Sequence, residues 1–237
     1  KMFEDVRVEA ISNRSPEAMQ KLSARFGITK CFTDYRELIA DPGIDGVIIA
    51  TPTGSHKEIV LEAASCKKAV LCEKPMASSY EDCIHMNEAA EKNGIPLVMA
   101  YIKRFDKNYL EAKKAVDRGE IGDVVCVRSH IRGPSRPRPW SYDLNNSKGV
   151  INEVGSHDID IMRWFTGSEM SRLYAVAGNY RCKDAEGEYP DFYDTVSLTA
   201  SFENGSQGLL NACANVGYGY DTQTEILGTK GCIVVGC

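Results

Sequence analysis

Up to about residue 118 short apolar strands alternate with capped helices, and from Asp123 onward strands follow one another with a single convincing helix among them. That change of rhythm constrains the fold more than any other feature. Alternation implies right-handed crossovers and a parallel sheet, whereas a run of strands implies a separate, largely antiparallel sheet. The first strand is expected where Val6, Val8 and Ala10 alternate with polar residues before the Ser12-Asn13-Arg14 turn. A helix follows, with Ser15 as its cap, Pro16 in the first turn and Gly27 as its stop. Strands at 45–50, 69–72 and 96–101 are separated by helices at about 55–66 and 79–93, and their unbroken apolar runs predict burial on both faces. A helix at 107–118 ends this half. Strands are then expected at 124–131, 173–181, 195–202, 208–214, 223–227 and 232–235, with a helix at 156–165. The fold class expected is α/β plus α+β, with the boundary near residues 103–122.

Composition narrows the partners. The 237 residues carry 28 Lys and Arg against 33 Asp and Glu, a formal charge of −5, so neither nucleic acid nor an anionic membrane is an expected partner. No apolar run approaches the roughly 20 residues of a membrane span, and no apolar signal-peptide core opens the chain. Nine cysteines occur without a C-x-x-C pair, which suits a reducing compartment, and the cytoplasm is the expected location. Four scattered histidines lack ligand spacing, so no metal is expected.

Two constellations carry chemistry. Cys72-Glu73-Lys74-Pro75 falls at the carboxyl end of a strand, where open α/β sheets bind ligands, and Pro75 restricts Lys74 to extended backbone. The alternative is a solvated charged pair in a turn. The second runs from Gly149 to Asp160 (GVINEVGSHDID), in which Glu153 and His157 stand four apart. If helical geometry reaches back that far, the carboxylate orients the imidazole and stabilises its charged form, the arrangement of a general base. The alternative is a helix N-terminus capped by Ser156 or Asp158.

These two segments, with Lys103-Arg104-Phe105-Asp106 between them and Tyr218-Gly219-Tyr220-Asp221 before Glu225-Ile226-Leu227-Gly228, resemble the Gfo/Idh/MocA oxidoreductases, particularly the inositol 2-dehydrogenase branch. The resemblance implies a Rossmann-type NAD(P)-binding domain at 1–102, a bridging helix at 103–122 and an α+β substrate and oligomerisation domain at 123–237. It implies that Lys74 sits beside the nicotinamide and the reacting hydroxyl, that His157 takes the hydroxyl proton, and that Glu153 stands where most members have Asp. Lys103, where many inositol dehydrogenases have Arg, is expected at the substrate with Asn152, His157 and Tyr220. Tyr218, Arg132, Arg136, Arg138 and Trp140 are weaker candidates. The family's first strand and G-x-G-x-x-G turn do not occur in these residues and are expected upstream of Lys1. The second sheet is expected to continue past Cys237.

On the cofactor side the resemblance points to Asn13, Arg14, Ala50, Thr51, Pro52, Glu73 and Lys74, with His56 first a helix-opening residue. No acid follows the strand that ends at Ser12. Arg14 can pair with a 2′-phosphate, so the expectation leans from NAD towards NADP. The activity implied is hydride transfer between NAD(P) and a secondary hydroxyl of a cyclic polyol or sugar derivative, in a homo-oligomer (dimer or tetramer) joined through the open sheet. The alternatives are a non-catalytic dinucleotide-binding sensor and an NAD-dependent glycosidase.

Overall fold

The computed structural model of the chain describes residues 5–236, so Lys1 and Cys237 lie outside the described residues. Two compact units divide at residue 100, the first spanning 1–100 and the second 101–237.

The first unit contains β1 (Ala10–Ser12), α1 (Pro16–Phe26), β2 (Lys30–Phe32), α2 (Tyr35–Ala40), β3 (Gly46–Ile49), α3 (His56–Ser65), β4 (Ala69–Cys72), α4 (Tyr80–Asn93) and β5 (Leu97–Met99). The expected cap and stop of α1 form, and α4 carries a similar pair. Ser15 Oγ accepts the Ala18 N–H, Ser79 Oγ accepts the Asp82 N–H, and Gly27 and Gly94 stop their helices at φ 69° and 65°. Strand pairing is parallel throughout, in a two-stranded sheet β1–β2 and a three-stranded sheet β3–β4–β5.

Three expectations change. The first strand begins at Ala10, and Val6 and Val8 are exposed outside it. β2 and α2 occupy a stretch with no predicted element. The strands of the three-stranded sheet bury one face rather than two: Ile59, Val60 and Ala63 of α3 and Met86 of α4 join Val47, Ile49, Val70 and Cys72 in one core, while Ile48, Leu71 and Val98 on the other face are exposed. Among the described residues, α3 and α4 cover that sheet from one side.

The second unit contains α5 (Lys107–Asp117), β6 (Val124–Arg132), α6 (Leu144–Ser147), α7 (Ser156–Thr166), β7 (Met170–Gly178), β8 (Thr195–Phe202), β9 (Gln207–Cys213), β10 (Asp221–Gly228) and β11 (Cys232–Val235). The six strands run in the order β11-β10-β6-β9-β8-β7, antiparallel except for the central β6–β9 pair. One face is apolar and packs on α5 and α7: Val127, Ile131, Val196, Leu198, Leu210 and Ile226 meet Tyr109, Ala112, Ile161, Met162 and Phe165. Tyr109 and Ala112 place α5, the helix expected to bridge the halves, inside this core. The alternate residues, such as Ser197, Thr199, Leu209, Arg128 and Glu225, form the sheet's other, open face.

Gly228 ends β10 with no room for a side chain, since a Cβ would lie 2.1 Å from the carbonyl oxygen of Ile121. Gly228→Ala is therefore expected to destabilise the protein by at least about 3 kcal/mol in denaturant unfolding, an amount associated with overpacking against fixed backbone. Gly187→Ala, where nothing lies within 4 Å, serves as the control and is expected to change stability by less than about 0.5 kcal/mol.

Candidate active site

Within the first unit the candidate residues collect at the carboxyl ends of parallel strands. Asn13 and Arg14 follow β1, Ala50-Thr51-Pro52 follow β3, and Glu73-Lys74 follow β4. Asn13 Oδ1 accepts the Ser15 N–H at 2.8 Å, which turns the chain into α1 and leaves Arg14 exposed. The Glu73 N–H donates to Ile49 O at 2.9 Å, continuing the β3–β4 ladder by one residue and fixing where Lys74 leaves it. Cys72 beneath is fully buried, and burial pushes its thiol up to about 12, so it acts as an apolar residue and not a nucleophile.

His56 has a role that its sequence position did not reveal. It opens α3, is 1% exposed, and presents Nε2 to Thr51 O at 2.9 Å and Nδ1 to Pro75 O at 3.0 Å. One imidazole thus ties the loop after β3 to the loop after β4, the two segments that carry Thr51 and Lys74. The donors at these strand ends are a guanidinium, an ammonium, a hydroxyl and backbone N–H groups, with Glu73 as the acid beside Lys74. That set fits a dinucleotide, whose phosphates, ribose hydroxyls and carboxamide need donors.

In the second unit helical geometry does reach back. A π turn over Ile151–Gly155 runs directly into α7, and neither Ser156 nor Asp158 caps a helix start. Glu153 and His157 therefore lie on one continuous helical run. Gly149 opens it at φ 77°, where a Cβ would meet the Tyr193 ring at 2.5 Å, and Tyr193 OH donates to Lys148 O at 3.1 Å. Asn152 Nδ2 donates to Ser147 O at 3.0 Å, and Asn152 lines a cavity of about 310 Å³ with Tyr101, Lys148, Ser156, Asp160 and Arg163. A larger recess of about 620 Å³ between α5 and β11 holds none of the motif residues.

The acids after His157 are buried and bound. Lys103 Nζ donates to Asp158 Oδ1 at 2.7 Å, with Asp158 0% exposed, and Arg104 forks onto Asp160 through Nε and Nη2, both at 2.8 Å. Burial pulls the Lys103 ammonium down, but Asp158 outweighs it and holds the lysine above its ordinary value. Burial pushes Asp158 up against the pull of Lys103; an ammonium at 2.7 Å keeps the pair ionised. The Asp158 and Asp160 contacts were missed by sequence reasoning. Their one signal was that adjacent cations at 103 and 104 match acids at 158 and 160.

The remaining candidates are dispersed. Arg132 donates to Asp221 Oδ2 and Asn211 Oδ1 on the open face of the sheet, and His130 meets Asp221 Oδ1 at 2.8 Å. Tyr218 reaches Asp221 Oδ2 at 3.4 Å, and Tyr220 is exposed. Arg136 is paired with Asp184 at 2.6 Å, which pins the Pro- and Arg-rich loop, while Arg138 and Trp140 of that loop stay exposed. Among the described residues no group of three or more His, Cys, Asp or Glu can hold a metal, and no helix is long and apolar enough to cross a membrane.

Residues 1–101 match the family model described as an oxidoreductase family with an NAD-binding Rossmann fold, and residues 109–234 match the GFO/IDH/MocA C-terminal domain. The chain is 32% identical over 231 residues to a myo-inositol 2-dehydrogenase of Thermotoga maritima, covering 98% of this chain and 68% of the relative. It is 32% identical over 219 residues to a scyllo-inositol 2-dehydrogenase (NAD(+)) of Bacillus subtilis, covering 92% and 62%. A crystal structure of scyllo-inositol dehydrogenase from Lactobacillus casei, with bound NAD(H) and scyllo-inositol, superposes with a TM-score of 0.87 at 27% identity, covering 97% of this chain and 68% of that one.

His56→Leu removes both links between the strand-end loops. It is expected to lower stability by about 1–3 kcal/mol, the cost of leaving buried carbonyls unpaired, and to speed amide exchange over residues 73–77. Unchanged exchange there, measured by mass spectrometry, would show that the imidazole does not brace the lysine loop.

Proposed function

The chain belongs to the Gfo/Idh/MocA oxidoreductase family, and from that premise we propose that the protein transfers a hydride between NAD(P) and a secondary hydroxyl of a cyclic polyol or sugar derivative. The chain spans 68% and 62% of the length of the two inositol dehydrogenases, so this reading concerns the whole protein. The observation that carries it is the unbroken helical run bearing Glu153 and His157, joined in the same chain to Lys74 at a parallel strand end. In this reading Asn152 and Tyr220 orient the polyol. His157 accepts the proton of the reacting hydroxyl, and Glu153 stabilises the imidazolium that results. Lys74 as an ammonium stabilises the developing alkoxide. A bound nicotinamide would supply the hydride acceptor, and Ala50, Thr51, Pro52, Glu73 and Lys74 would be the residues to hold it.

Asn13 and Arg14 after β1, with no acid between them and α1, support a preference for NADP over NAD. Eight cysteines free of disulfides among the described residues support a cytoplasmic location. Exposed Tyr174, Val176, Leu209, Leu227 and Val234, on the open side of the six-stranded sheet, support a homo-oligomer joined there.

Lys74→Ala and His157→Ala are each expected to lower kcat at least about 100-fold on myo- or scyllo-inositol, followed by absorbance of the reduced nicotinamide. Full turnover by Lys74→Ala would refute the assignment. Arg14→Ala is expected to raise KM for NADP about tenfold, as expected for a lost charge-assisted contact of roughly 1.4 kcal/mol, with little change for NAD. An equal effect on both cofactors would remove the case for NADP.

A further inference from the structure

We propose that Lys103 is a positioning residue, not a substrate contact: by holding the buried Asp158 carboxylate it fixes the first turn of α7 and so the place of His157. The proposal rests on the reading of His157 as the base. A lysine ammonium has three N–H donors. One meets Asp158 Oδ1 at 2.7 Å, one meets Thr222 Oγ1 at 3.3 Å, and the ammonium lies 5.3 Å from the centroid of the Tyr109 ring, a cation–π distance. Its side chain is 11% exposed. Two of its three N–H donors are thus taken up inside the second unit, and an aromatic ring of the same unit faces the ammonium.

Asp158 depends on that contact. It is 0% exposed, and its second oxygen, Oδ2, is buried without a hydrogen-bond partner. A buried carboxylate deprived of its one cation is strongly unfavourable, so Lys103 and Asp158 form a unit. Arg104 extends the grip two residues along α7 through its fork on Asp160, which is 3% exposed, and its guanidinium lies 5.6 Å from the Trp164 ring centroid. Two consecutive cations on the short 3-10 turn Ile102–Phe105 therefore hold positions 158 and 160, one and three residues beyond His157.

This run needs such a grip because of what precedes it. The π turn at Ile151–Gly155 holds one residue more per hydrogen-bonded ring than an α turn, and its relaxation to α geometry would shift Glu153 against His157 by one register step. The upstream end is anchored by Tyr193 on Lys148 O and by the tight site at Gly149. Lys103 and Arg104 anchor the downstream end, and the wide turn is held between them.

The test uses Lys103→Met in the full-length protein. Because an unpaired buried acid can prevent folding, Lys103→Met/Asp158→Leu, which replaces both charges with apolar groups, is measured beside it. With myo-inositol and scyllo-inositol as substrates, kcat is expected to fall about 10- to 100-fold, the scale of a small misplacement of a reacting group, while KM for the polyol stays within threefold. A larger rise in KM, or unchanged kcat, overturns the proposal. Should no polyol be turned over by the wild type, the hydride-transfer reading fails separately and the imidazole itself decides. The His157 resonance, assigned by its loss in His157→Gln, is titrated by NMR in both backgrounds. A displaced titration midpoint or ring chemical shift supports positioning by Lys103, and identical curves overturn it. Lys113→Met, which breaks an i,i+4 ion pair with Asp117 on α5, is the control and is expected to alter neither readout.

Discussion

Burying a carboxylate is tolerable only where a cation or several hydrogen bonds accompany it, and of the three aspartates buried in the second unit, Asp158, Asp160 and Asp194, the first two lie in the first turns of a single helix. That constraint ties α7 to the turn before α5, because both partner cations sit there. It also explains how an uncapped helix keeps its place. No Ser or Asp side chain closes its N-terminus; the backbone continues upstream into a π turn, so the ion pairs supply the register that a cap would otherwise set. The apolar residues beside the acids, Ile159 between them and Ile161 and Met162 after Asp160, pack against the sheet's core. Charge fixes rotation while apolar contact supplies most of the stability.

The first unit solves a similar problem with an imidazole and a backbone N–H. Parallel strands end in loops whose backbone groups have no ladder partner, and these are the segments expected to meet the cofactor. His56 bonds one carbonyl from each of two such loops, and the Glu73 N–H extends the ladder by one bond. Lys74 thus leaves a strand end fixed from two sides. Both units fix the backbone beside a chemically active side chain by means of a buried polar group that does not itself need to react.

Much of this order was legible in the sequence, because it is written in local signals. The cap at Ser15, the stop at Gly27 and strands such as Thr195–Phe202 are read from a few adjacent residues, and they hold. Lys30–Phe32 was missed because three residues are too few to show a period, and the helix after it is only six residues long. The contacts of Lys103, Arg104 and His56 span 55, 56 and 19 residues, and no periodicity reports such pairings. Motif order identified the family, but Lys103, placed at the substrate by resemblance, has close partners within its own unit.

The spacing of Glu153 and His157 shows how sequence and backbone combine. In a regular α-helix residues four apart are offset around the axis by about 40°, because 3.6 residues complete a turn. A turn closed by i→i+5 bonds holds more residues, so four steps across it rotate less. Here two of those four steps lie inside the π segment and the rest pass into α7, which reduces the offset and brings the two positions nearer to stacking along the axis.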